Sequence, residues 1–126
     1  GGISMTEDEA YKVHIQYTFN AFCKIVIRHA AIDIILKLRR RWEREVSLDY
    51  LMNEKFVQLA EPEQLLPYET IVKAHEGDPD AVNAVLSHYA GYIRYFSKVR
   101  GQVNAEVEEY VKQQLIAALF KFRFDR

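Results

Sequence analysis

IVIRHAAIDIILKLRRRWEREVSLDYL, from Ile25 to Leu51, begins as one of the most apolar runs of the chain and then turns strongly basic. Between Lys24 and Arg44, the cations Lys24, Arg28, Lys37, Arg39, Arg40, Arg41 and Arg44 are opposed only by Asp33 and Glu43. Upstream, Phe19, Phe22 and Cys23 continue with Val26, Ile27, Ala30, Ile34 and Leu38 at helical spacing, which predicts one long helix from about Thr18 to Arg44. Ile25, Ile32 and Leu36 form a second stripe, and a helix apolar on two sides is enclosed by neighbours or shared with a second copy of the chain. Its last turns carry four arginines within six positions, so they must project into solvent or onto an anion.

Beyond this helix the punctuation is helical throughout. Glu45 to Leu66 is mixed, holds Pro62, and reads as a short helix or turn followed by a connector. Pro67 suits a helix start, and Gly77 suits the left-handed stop of a short helix carrying Ile71, Val72 and His75. Asp78-Pro79 offers an N-cap and a first-turn proline. Val82, Val85, Leu86, Tyr89, Ile93 and Phe96 then predict one helix up to about Gly101. Asn104 can cap a last helix with Val107, Val111, Leu115, Ala118, Leu119 and Phe122 turned inward. The expected fold is all-α: a small helical bundle with one long N-terminal helix and no strand between residues 68 and 122.

The 126 residues suit one compact domain, divided as an arm (1–16), the basic helix with its connector (17–66) and a three-helix segment (67–126). Gly1-Gly2-Ile3-Ser4 ahead of Met5 reads as an expression remnant. The net charge of −1 conceals an asymmetry, because positive charge gathers in the first 44 residues while acids prevail afterwards. One cysteine, Cys23, excludes an internal disulfide and fits a cytoplasmic protein. No apolar run approaches the roughly 20 residues that span a bilayer, so no membrane partner is expected.

Catalytic chemistry finds little support. His14, His29, His75 and His88 lack metal-ligand spacing, no glycine loop suits phosphates, and Cys23 lies on an apolar face as an inert thiol. Neither enzyme activity nor a cofactor is expected. The run LKLRRRWER is the stronger signal. Cations suit a helix C-terminus in any case, but four arginines exceed that role, and the guanidinium fork matches phosphate. Tyr17, just ahead of the inward stripe, is the aromatic free to stack on a base. Glu106, Glu108 and Glu109 open the last helix, where negative charge is favoured by the helix dipole alone.

Two stretches carry a resemblance. V-I-R-H-A-A-I-D, followed by L-R-R-R and E-V-S-L-D-Y-L, resembles the promoter-recognition helix of the sigma-70 family, regions 2.3 and 2.4. L-L-P-Y-E-T-I-V-K-A-H-E-G-D-P-D-A-V with H-Y-A-G-Y-I closely resembles the small helix-turn-helix proteins of conjugative transposons. Continued through Q-Q-L-I-A-A-L-F-K-F-R-F-D, this stretch also looks like sigma regions 2.1 and 2.2, so that the segments stand in permuted order. The resemblance implies a DNA-binding regulator of a conjugative element. Arg28, Lys37, Arg39, Arg40, Arg41 and Arg44, with Tyr17, would face DNA. Glu106, Glu109 and Gln113 would face core RNA polymerase. It also places Arg126 within roughly 15 Å of Tyr17, in one chain or by exchange in a homodimer. Two other readings remain open. One is a plain helix-turn-helix regulator built on helices 79–98 and 104–122, whose connection is long for that motif. The other is a dimerisation or interaction module that binds no DNA.

Overall fold

The computed structural model describes residues 6–42 and 54–125. They form six helices and one minimal hairpin: α1 (Glu7–Trp42), α2 (Glu54–Ala60), α3 (Tyr68–His75), α4 (Pro79–His88), α5 (Ala90–Phe96), β1 (Lys98–Val99), β2 (Gln102–Val103) and α6 (Ala105–Leu119). The all-α bundle with one long N-terminal helix is the observed class. The expectation of no strand after residue 68 fails at the hairpin alone.

The long helix is 36 residues and starts eleven positions before the expected Thr18. Its start was written in Thr6-Glu7-Asp8-Glu9. The Thr6 hydroxyl accepts from the Glu9 amide at 3.1 Å, and three acids occupy the first turn, where the helix dipole favours them. The buried face of α1 runs through Ile15, Phe19, Cys23, Ile27, Ala31 and Ile35 to Leu38. Steps of four overrun a turn of 3.6 residues by about 40° each, so the face winds around the helix. Of the second stripe, Ile32 and Leu36 are half-buried on the flank of this winding face, whereas Ile25 is 54% exposed. Val26, expected in the core, is only half-buried.

Helix α6 lies antiparallel along α1. Phe122, just past α6, meets Phe19 and Phe22 with ring centroids 5.2 and 5.3 Å apart. At the other end Arg41 reaches Glu106, and between them the Tyr110 hydroxyl donates to Asp33 at 2.8 Å. The Phe124 carbonyl accepts from Tyr11 at 3.1 Å, so the tail returns beside the first half of α1. Arg126, whose nearness to Tyr17 was expected, lies outside the described residues, as do Arg44 and the Glu45–Leu51 stretch.

Helices α3 and α4 are joined by Glu76-Gly77-Asp78. Gly77 has φ +91°, the amide of Gly77 reaches the Ala74 carbonyl, and that of Asp78 reaches Lys73, which together close a Schellman stop. Asp78 then caps α4 by accepting from the Asp80 amide at 3.0 Å, with Pro79 in first position. One aspartate thus ends one helix and starts the next. Where a single helix from 79 was expected, Tyr89 breaks it with φ −99° and ψ 9°. The buried period survives the break, because Val85, Tyr89, Ile93 and Phe96 all remain inside. The Tyr89 hydroxyl donates to Asn20 of α1 at 2.7 Å.

The hairpin turns on Arg100 and Gly101, with φ of 56° and 79°. Positive φ at both central residues is the type I′ geometry whose twist matches a two-residue hairpin. Arginine is poorly suited to the left-handed region, where Asn sits more easily. Arg100→Asn is therefore expected to raise the unfolding midpoint in urea, by an amount equivalent to no more than about 1 kcal/mol. A lowered midpoint would mean that the arginine side chain contributes to the fold.

His88 is half-buried, its ring edge-on to Tyr89 at 4.9 Å, and its Nε2 finds no hydrogen-bond partner among the described residues. Burial holds its pKa below the ordinary histidine value. The unfolded chain therefore takes up this proton more readily than the folded one. The stability tied to the neutral ring is complete above the unfolded pKa of about 6.5 and is lost as pH falls below it. Urea midpoints at pH 5 and pH 7.5 should differ less in His88→Gln than in the parent chain; equal differences would exclude His88 as the source.

Candidate nucleic-acid interface

Beyond buried Leu38 the described side chains of α1 are those of the arginine run. Arg39 is half-buried while Arg40 and Arg41 are exposed. The hairpin that precedes α6 carries two further exposed cations, Lys98 and Arg100. Sequence reasoning missed these two cations. Their signal was Val-Arg-Gly-Gln-Val, a glycine-bearing turn between β-branched residues.

The cations expected to face DNA differ in what already holds them. Arg41 makes a two-pronged contact with Glu106, Nη1 to Oε1 at 3.1 Å and Nη2 to Oε2 at 2.7 Å. Its guanidinium keeps the Glu106 carboxyl below the usual carboxylate range. Lys37 lies 3.2 Å from Asp33 and 5.7 Å from the centre of the Tyr110 ring. The Tyr110 hydroxyl, and after it Lys37, lowers the pKa of Asp33. Arg28 is set well back from the basic end, 3.4 Å from Glu54 of α2 and over the Phe96 ring at 5.7 Å. Lys24, one turn earlier, pairs with Glu61 at 3.2 Å. Among the described residues, Arg39 and Arg40 make no ion pair. Tyr17 is 63% exposed, far along α1 from these arginines. The structure thus brings Arg39, Arg40 and Arg41 together and leaves Arg28 and Tyr17 apart from them.

The residues expected to face polymerase also part company. Glu109 and Gln113 are exposed one turn apart, with the Gln113 amide donating to Glu109 at 2.9 Å. Glu106 is turned to Arg41. Among the described residues no group of three or more His, Cys, Asp or Glu could hold a metal ion. Cys23 is buried, and desolvation pushes its thiol pKa far up, which leaves no nucleophile there. No helix among the described residues is long and apolar enough to cross a membrane.

Residues 68–123 match the family model described as a helix-turn-helix domain. The match runs from the start of α3 past the end of α6 and leaves α1 and α2 outside it. No curated protein matches the chain, and no solved structure does. Within the matched span the helix pair with a turn of the usual three residues is α3–α4. The single helix expected over 79–98 is corrected to two helices, α4 and α5, and a hairpin separates them from α6.

Proposed function

We propose that this chain is a DNA-binding transcription regulator of a conjugative mobile element, with a layout similar to sigma region 2. The helix-turn-helix match at 68–123 supports the class. The observation that carries the reading is the antiparallel seating of α6 on α1, from Phe122 at one end to Glu106 at the other. It sets the Arg39-Arg40-Arg41 run beside the first turn of α6, where a phosphate backbone would be met by arginine forks. The first turn of α4, by contrast, offers acidic Asp80 and no cation, which is poor for reading a major groove. Phosphate contact at the basic pole is therefore the main source of affinity in this reading.

Glu109 and Gln113, exposed on α6, are the groups left to face core RNA polymerase, and Lys37 flanks the DNA-contacting end. A second reading is favoured by Tyr17, 63% exposed, and Ile25, 54% exposed, with Ala21 between them on one side of α1. Such a strip suits a homodimer contact. Titrating a labelled duplex at several salt concentrations tests the first reading, since its affinity must fall linearly in log salt. Capture of purified core polymerase, lost in Glu109→Lys, tests the second contact. Sedimentation at the monomer mass at every concentration would exclude the dimer.

A further inference from the structure

We propose that Glu106 masks Arg41, so that the chain's own carboxylate keeps the basic end of α1 partly closed to DNA. This rests on reading that end as a phosphate-contacting surface. The two residues are 65 positions apart and meet only because α6 lies antiparallel on α1. Both guanidinium prongs are engaged, at 3.1 and 2.7 Å, by two oxygens spaced as those of a phosphodiester would be. The carboxylate therefore occupies the face of Arg41 that phosphate needs.

The mask is weak enough to yield. Side-chain exposures of 57% and 50% leave the pair in water, where such contacts contribute little and are screened by salt. Near physiological salt Arg39 and Arg40 meet phosphate while Glu106 keeps Arg41 from it, because a duplex must break that pair before the guanidinium can turn to a phosphate. Any cationic group that takes Glu106 then removes this contact from Arg41, and by linkage strengthens DNA binding.

A plainer role for Glu106 is favourable charge in the first turn of α6, and Glu108 shares that role while facing Lys112 at 3.6 Å. The experiment compares the two. Fluorescence anisotropy of a labelled duplex is measured across a salt series for the full chain, Glu106→Gln, Glu108→Gln and the double variant Arg41→Gln/Glu106→Gln. Thermal melts confirm that each is folded. Glu106→Gln is expected to bind several-fold more tightly near physiological salt, with a log–log salt slope steeper by about 0.9, the mark of one added phosphate contact. Glu108→Gln should change the slope far less, and the double variant should lose the gain. Binding by every variant with no steeper slope in Glu106→Gln overturns the masking and leaves the DNA reading standing. So does a gain equal to that of Glu108→Gln, or one that persists without Arg41. No duplex binding by either the parent chain or Glu106→Gln overturns both.

Discussion

Phe122→Ala lowers the stability of the chain by about 3–5 kcal/mol, the usual range for deleting a buried phenylalanine ring. Phe122 lies beyond the last residue of α6, yet it is only 7% exposed. Its ring meets Phe19 edge-on at 5.2 Å, Phe22 at 5.3 Å and Phe124 at 5.2 Å. Alanine leaves a void between the first half of α1 and the tail, and removes three aromatic contacts at once. The Tyr11 hydroxyl then loses the positioned Phe124 carbonyl as well. Ile25→Ala, on the exposed side of the same helix, should shift stability by less than about 0.5 kcal/mol. Urea unfolding followed by circular dichroism measures both. A small loss at Phe122 would mean that the tail does not close the α1–α6 pair.

Arg39→Ala/Arg40→Ala weakens duplex binding by tens of fold near 0.15 M salt and flattens the log–log salt slope by about 1.8, if each arginine holds one phosphate. The loss should shrink as salt rises and should be similar across duplex sequences, because backbone contacts carry no base information. Neither side chain is fully buried, so the fold should be unchanged in a thermal melt. Arg41→Ala alone should cost less than either of these, since Glu106 already engages that guanidinium. An unaltered slope in the double variant would reduce the basic end to a solvated helix terminus placed by its dipole.

The helical class, the inward stripe of α6 and the Asp78-Pro79 start of α4 were legible because each depends on neighbours in sequence. Periodicity, caps and left-handed glycine are local physics, and Asn104, Asp78 and Gly77 act as read. Two local signals lay in the sequence as well: the Thr6 hydroxyl cap that starts α1, and Arg100-Gly101 as a hairpin turn. The break at Tyr89 was hidden for a different reason, since one non-helical residue hardly disturbs a buried period.

The basic run of α1 could be seen in the sequence as a concentration of charge, because Arg39, Arg40 and Arg41 are consecutive. Which of those cations are available to an anion could not be read there. Glu106 reads locally as a favourable first-turn charge, Glu54 likewise, and nothing near either in sequence names Arg41 or Arg28 as a partner. Those pairings depend on the register of α6 and α2 against α1, which is set by side-chain packing across the core, from Val57 and Phe122 to Leu115. The residues by themselves determined where helices form and where positive charge collects, because both are properties of adjacent positions. Only the tertiary structure decided that Arg41 is held by a carboxylate 65 positions away while Arg39 and Arg40 make no ion pair among the described residues, because packing brings distant charges within reach of each other.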